Sequence, residues 1–247
     1  MDNLIVKMAL KKPDIKKAKK ILAIQPHADD NEIGAGGAIK YFTDKGIEVV
    51  YLTITDGCLG QKTGKYTKEE LIAIRQKEAK EAGEVLGVKE FHFLSYPDGS
   101  LFDTIKLSHD IAKVIRTVKP DFIIVPDPYL PYEAHLDHIA TGKAASAAIL
   151  ISDLYDPELD SHSVKGIGYY FTSCPNTVID ITDTYETQVK AMGIHKSQID
   201  KKTLALFTIY FKDIAKKTAK DEKFKLGCGL KVLGPLHLHC FQDAMNI

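Results

Sequence analysis

Over its first 150 residues the chain alternates short apolar runs with helix-length segments, and that alternation limits it to few architectures. The first run, Ile21-Leu22-Ala23-Ile24, is continuous and does not alternate with polar residues. Such runs suit strands buried on both faces of a parallel sheet. A turn, PHADDNEIGAGG, follows, then a predicted helix over 37–44 and a second strand over Glu48–Thr55. Thr67 with Glu70 three residues on is a capping-box signature, and it predicts a long helix through Leu71, Ile74, Glu78 and Ala82 that stops at Gly87. Strands over 90–94 and 122–125, a helix over 107–118 and a helix opening near His135 continue the series. The pattern predicts an α/β chain: a Rossmann-like, open, mainly parallel sheet with helices on both faces.

The last hundred residues are less regular. They predict strands over 168–172 and 177–181 and helices over 184–197 and 204–217, while 227–247 carries no assignment. Neither an internal repeat nor a linker interrupts the 247 residues. One domain is expected, with a core over about 18–155 and an irregular C-terminal extension over about 156–247.

Charge narrows the partners. Lys plus Arg equals Asp plus Glu at 33 each, so no net field favours nucleic acid or an anionic membrane. The lysine-rich start (Lys11, Lys12, Lys16, Lys17, Lys19, Lys20) reads as a solvated face. Cys58, Cys174, Cys228 and Cys240 show no CxxC pairing, which argues against a disulfide framework and suits a cytoplasmic location. The apolar stretch at 4–10, broken by Lys7, is too short and polar for a signal peptide or a membrane span.

Two clusters carry the chemistry, and each follows a predicted strand. The first is His27, Asp29, Asp30 and Glu32; the second is His135, Asp137 and His138. In open α/β sheets, ligands bind beyond the carboxyl ends of the strands, where the strand order reverses. With the order 3-2-1-4-5, strands one and four are neighbours at that reversal and the clusters meet in one crevice. A hydrolytic zinc site takes three protein ligands, often two His and a carboxylate, with a fourth position for water. His27, His138 and one of Asp29 or Asp30 supply such a set. The carboxylate left over is free to act as general base. His135 and His138, three apart at a helix start, share a face, so one can bind metal while the other faces a reacting carbonyl. Asp137 is placed to hold an imidazole in its cationic form. Gly34, Gly36 and Gly37 are expected to let the loop turn tightly and the helix approach the sheet.

These residues resemble the zinc-dependent de-N-acetylases related to the enzyme acting on N-acetylglucosaminyl phosphatidylinositol, the LmbE-like group. PHADD (Pro26 to Asp30) and HLDH (His135 to His138) are similar to its two metal motifs. The helix segment from Arg75, the turn Tyr96-Pro97-Asp98, VIDIT, Lys190 and HKSQ (His195 to Gln198) extend the resemblance to about 20–198. It implies His27, Asp30 and His138 as ligands of one Zn2+, Asp29 as general base, and His135, steadied by Asp137, as the oxyanion stabiliser. It implies Arg75 and Asp98 as contacts to sugar hydroxyls, with His195 in the sugar pocket. The implied substrate is a small N-acetylated amino sugar and the reaction is removal of its acetyl group. The residue choice between Asp29 and Asp30 comes from the resemblance; spacing alone leaves it open. Asn31 between Asp30 and Glu32 departs from many members, which leaves Glu32 without a role.

His237 and His239 are expected at the surface or in a subunit interface, making a homo-oligomer an expectation; His92, His109 and His162 stand alone. Two rival functions remain. A non-haem iron enzyme uses the same two-His, one-carboxylate set, although usually on a β-sandwich. A nucleotide-binding module is suggested by IGAGGAI, although the third glycine of GxGxxG is missing.

Overall fold

In the computed structural model, which describes residues 10–61, 64–100 and 103–247, the apolar runs lie side by side. β1 (Lys20–Gln25), β2 (Glu48–Thr55), β3 (Glu90–Tyr96), β4 (Phe122–Pro126) and β5 (Gly166–Tyr170) are parallel neighbours. β6 (Thr177–Asp180) and β7 (Gly227–Leu233) complete a seven-stranded sheet of order β3-β2-β1-β4-β5-β7-β6. β7 is antiparallel to both β5 and β6. The expected 3-2-1-4-5 order is present, with β1 and β4 paired at the reversal.

The continuous run in β1 is explained by its two faces. Ile21 and Ala23 pack into one core with Ala35, Ala38, Ile39 and Phe42 of α1 (Asp30–Asp44). Leu22 and Ile24 pack into the other with Leu107, Ile111 and Ile115 of α3 (Thr104–Val118) and Ala144, Ala145 and Ala148 of α4 (Leu136–Ser152). α2 (Lys68–Val85) starts at the expected capping box: Thr67 Oγ1 accepts from Glu70 N at 3.2 Å and Thr67 N donates to Glu70 Oε2 at 2.9 Å. It stops before Gly87, whose φ of +91° suits glycine. α5 (Tyr185–Met192) and α6 (Lys201–Thr218) follow β6.

α1 opens at Asp30, not at residue 37, so the glycines of IGAGGAI lie inside a helix and form no loop. Close packing accounts for two of them: a Cβ on Gly34 would stand 2.5 Å from the Tyr170 ring, and one on Gly36 would stand 2.9 Å from Gln188 Cγ. The expected close approach is present, the tight turn is not, and a phosphate-cradling loop is absent there.

The expected irregular extension divides. Three of its segments join the sheet as β5, β6 and β7, while after Leu233 the described chain makes two short 3-10 turns, Pro235–Leu238 and Ala244–Asn246. His237 is buried, not at the surface: its Nδ1 accepts from Gly234 N at 2.9 Å and its Nε2 lies 3.1 Å from Leu10 O. His239 is exposed. The lysine-rich start is largely solvated, but Lys12 Nζ donates to Thr177 Oγ1 at 2.9 Å and so ties the chain to β6. The short apolar stretch at 4–10 falls, up to residue 9, outside the described residues. Among the described residues no helix is long and apolar enough to cross a membrane.

Candidate active site

β1 delivers the first cluster through a tight turn. Asp29 N donates to His27 O at 2.9 Å, and His27 N donates to Asp30 Oδ2, also at 2.9 Å. Asn31 anchors the turn from below: its N donates to Gln25 Oε1 at 3.1 Å, its Nδ2 to Ala23 O at 3.3 Å, and its Oδ1 lies 3.1 Å from Tyr170 OH. This buried asparagine ties α1 to β1 and β5, which accounts for an amide at this position. β4 delivers the second cluster. Its loop ends at His135, the N-cap of α4, so Asp137 and His138 fall in the helix's first turn.

Because β1 and β4 pair, the clusters converge. His27 and His135 ring centroids are 4.6 Å apart, His27 and His138 5.5 Å, and His135 and His138 5.0 Å. Asp30 joins two of the imidazoles: its Oδ2 lies 3.2 Å from His27 Nδ1 and its Oδ1 3.3 Å from His138 Nε2. One ligand atom from each of His27, Asp30 and His138 lies within 4.8 Å of the others, close enough to share a metal ion. His27, His135 and Asp137 meet the same distance. The two sets share His27, and its two nitrogens separate them. With Nδ1 turned to Asp30, Nε2 faces Asp137 Oδ2 and Asp98 Oδ1, each at 3.2 Å. A metal-binding imidazole ordinarily donates its second N–H to such carboxylates, which favours the first set.

The electrostatics fit a cation. Burial opposes a charge on His27, yet hydrogen bonds with Asp137, Asp30 and Asp98 outweigh it and push its pKa up to about 12. Burial likewise opposes the Asp30 carboxylate, but His138 and His27 hold its pKa well below the usual range. Two nitrogens and one carboxylate oxygen, ringed by further carboxylates, suit zinc. Among the described residues buried His138 Nδ1 has no hydrogen-bond partner; Glu133 Oε2 is 3.6 Å away.

Beside this set, Asp29 Oδ1 lies 3.3 Å from Arg75 Nη2, and Arg75 Nη1 donates to Gly57 O at 3.0 Å. Burial raises the Asp29 pKa and neighbouring Asp30 adds to the rise, against the pull of Arg75, His195 and His27. His135 is exposed, yet partial burial together with the neighbouring His27 and His138 lowers its pKa, which favours the neutral imidazole. Asp137 therefore serves a different imidazole from the one expected. Its Oδ2 sits on His27 Nε2 and also accepts from Gly99 N at 2.9 Å. A bulge in β3, where Ser95 adopts φ +54°, sets the turn that carries Asp98 and Gly99.

The three residues expected at the sugar are all buried. His195 has no exposed surface, so no substrate hydroxyl reaches it; its Nε2 lies 3.2 Å from Glu32 Oε2. Arg75 and Asp98 are also buried; Arg75 Nη2 lies on Asp29 Oδ1 and Asp98 Oδ1 on His27 Nε2, while Arg75 Nε has no partner among the described residues. Asp98 Oδ2 further accepts from Leu59 N at 3.0 Å. Sequence reasoning missed the places of Asn31, Tyr51, Glu78 and Ser197. Ser197 left a trace inside HKSQ, Asn31 as the residue between Asp30 and Glu32, and Glu78 three residues after Arg75 on one helix face.

The sequence model for GlcNAc-PI de-N-acetylase (PIG-L) matches residues 22–149. A diacetylchitobiose deacetylase of Thermococcus kodakarensis is 37% identical over 90% of this chain and 85% of its own length. The chain belongs to the PIG-L family. Deacetylases of this family are metal-dependent, and the His/Asp group described above can hold the ion. The structure of N,N'-diacetylchitobiose deacetylase from Pyrococcus horikoshii superposes with a TM-score of 0.91 at 34% identity, covering 100% of this chain and 98% of that one. A probable N-acetyl-alpha-D-glucosaminyl L-malate deacetylase 2 of Bacillus cereus is 31% identical over 73% of this chain and 84% of its own. This PIG-L family chain thus shares the α/β fold of a deacetylase.

Proposed function

We propose that the chain is a zinc-dependent N-deacetylase that releases acetate from an N-acetylglucosamine unit of a short sugar. One observation carries the reading: two strand ends bring His27 and His138 to 3.2 and 3.3 Å from one carboxylate, Asp30, with the Asp29–Arg75 pair alongside. His27, Asp30 and His138 would hold the ion. An ion held there would supply Lewis acidity toward the acetamide carbonyl and a water molecule.

The remaining steps belong to the chain's own side chains. Asp29, oriented by Arg75 on Oδ1, takes the proton of the attacking water and returns it to the departing nitrogen. Its raised pKa suits a group that must hold a proton for part of the cycle. Neutral His135 donates an N–H to the carbonyl oxygen as negative charge develops on it. Asp98 and Asp137 keep His27 in one tautomer through Nε2. Exposed Leu59 and Leu136, next to the turn of Asp98 and to His135, offer apolar surface for a sugar ring.

The likeness to diacetylchitobiose deacetylases makes N,N'-diacetylchitobiose the first substrate to test. The whole chain is read as one de-N-acetylase domain, because strands from both halves share one sheet. Four free thiols and balanced charge support a cytoplasmic enzyme of small sugars without nucleic-acid or membrane partners. Exposed Leu206, Ile209 and Tyr210 on α6 support self-association. Acetate release should be measured with N,N'-diacetylchitobiose, free N-acetylglucosamine and its malate conjugate, alongside metal analysis. Turnover with zinc bound is expected. Iron with oxygen consumption, or tight nucleotide binding without acetate, would replace the reading by one of its rivals.

A further inference from the structure

The segment His195-Lys196-Ser197-Gln198 lies between α5 and α6, and neither His195 nor Ser197 takes part in the chemistry proposed above. Its bonds nevertheless lead back to that chemistry. Fully buried His195 places Nε2 3.2 Å from Glu32 Oε2, while Glu32 Oε1 accepts from Tyr51 OH at 2.8 Å. Two residues on, Ser197 grips Glu78: its N donates to Oε1 at 3.0 Å and its Oγ to Oε2 at 2.6 Å.

The spacing gives these bonds meaning. Glu32 lies three residues after Asp29, and Glu78 three residues after Arg75. Residues three apart stand one above the other on a helix. A single short loop therefore bonds the carboxylate one turn behind each member of the Asp29–Arg75 pair. Asp29 needs outside support, because its side chain makes no capping bond to α1. Arg75 is held at Gly57 O, and a Cβ on Gly60 would come within 2.4 Å of its Nη1 and 2.6 Å of Gln198 Oε1. Gln198 of the same loop and the guanidinium thus both close on Gly60.

We propose that residues 195–198 form a positioning clamp that fixes α1 against α2 and so keeps Asp29 and Arg75 in contact. His195 and Ser197 are positioning residues for the base, acting through Glu32 and Glu78. The clamp's catalytic effect rests on the deacetylase reading; its effect on geometry does not.

Kinetics on N,N'-diacetylchitobiose with the zinc-loaded full chain test the first part. Ser197→Ala and His195→Leu should each lower kcat about 10- to 100-fold, the range for a small misplacement of a reacting group. KM and zinc content should stay near their original values. His195→Gln, whose amide N–H can reach Glu32, should restore most of the lost kcat. A role confined to folding would lower soluble yield and Tm instead, leaving kcat per folded, zinc-loaded molecule intact. Crystal structures of the unaltered chain and of Ser197→Ala test the second part without any activity. The clamp predicts that the Asp29–Arg75 contact, 3.3 Å here, opens beyond hydrogen-bond reach in the variant. An unchanged contact, or unaltered kcat in both Ser197→Ala and His195→Leu, would overturn the proposal. Should His195→Leu fail to fold, Ser197→Ala decides. If the unaltered chain releases no acetate, the deacetylase reading fails and the crystal structures alone judge the clamp.

Discussion

Asp30 Oδ1 stands 3.3 Å from His138 Nε2, so a carboxylate at the start of α1 meets an imidazole in the first turn of α4. Neither helix touches the other's strand in sequence. Only the pairing of β1 with β4, Ile21 against Phe122 through Ala23 against Ile124, makes the meeting possible.

His138→Ala should therefore deplete metal. Losing one of three ligands leaves too few to hold a zinc ion against buffer, and metal per chain should fall well below the parent's. Elemental analysis after gel filtration checks this. Full metal content in the variant would show that the ligand set is wrong.

Asp29→Ala should keep the metal and lose turnover. Removing a general base costs about 10²- to 10⁴-fold in kcat. Because burial places Asp29 above the ordinary carboxylate range, kcat/KM should also fall on the acid side at a pH above 3.8, as Asp29 gains a proton. Equal loss of metal and turnover in this variant would exchange the roles of Asp29 and Asp30.

Metal removal should reverse the slope of stability against pH. In the stripped protein His27 has a pKa raised from 6.5 to about 12. Its contribution is complete below the unfolded value near 6.5 and is lost as pH rises toward 12. Denaturant midpoints of stripped protein should thus fall from pH 7 to pH 9. With zinc the ligands must be deprotonated, so binding, and the stability it adds, should strengthen over the same interval. Parallel slopes in the two forms would contradict the acid cage around His27.

Much of this arrangement was legible in the chain, and the failures share a cause. β1 and β2 fall where their apolar runs predict, and α2 begins at its capping box. The glycines after Asp30 misled, because a local reading places glycine in turns. Tyr170 and Gln188, far along the chain, instead demand residues without Cβ inside a helix. β7 was hidden in the same way: Gly227 and Gly229 weaken a strand signal, and its pairing with β5 and β6 is antiparallel and remote. The metal-binding types announced themselves, since His and Asp clusters at strand ends are rare. The supports did not. Tyr51 looks ordinary, and Glu32 and Ser197, although inside the motifs, show no partner until folding brings one within hydrogen-bond distance.

Arg116→Ala should separate stability from activity. This buried guanidinium donates to Ile151 O at 2.9 Å, Leu154 O at 3.0 Å and Asp156 Oδ2 at 2.7 Å, closing the end of α4. Leaving those acceptors unpaired should cost about 3 kcal/mol. Chemical denaturation should show the loss, with kcat of the folded variant unchanged. A fall in kcat at full folding would mean that α4 shifts and carries His135 with it.

The central claim is tested most directly by acetate release from N,N'-diacetylchitobiose, followed in one preparation before chelation, after chelation and after zinc is returned. Release, its loss and its recovery are expected in turn. Zinc-loaded, folded protein that frees no acetate from this or any N-acetylglucosamine substrate would contradict it.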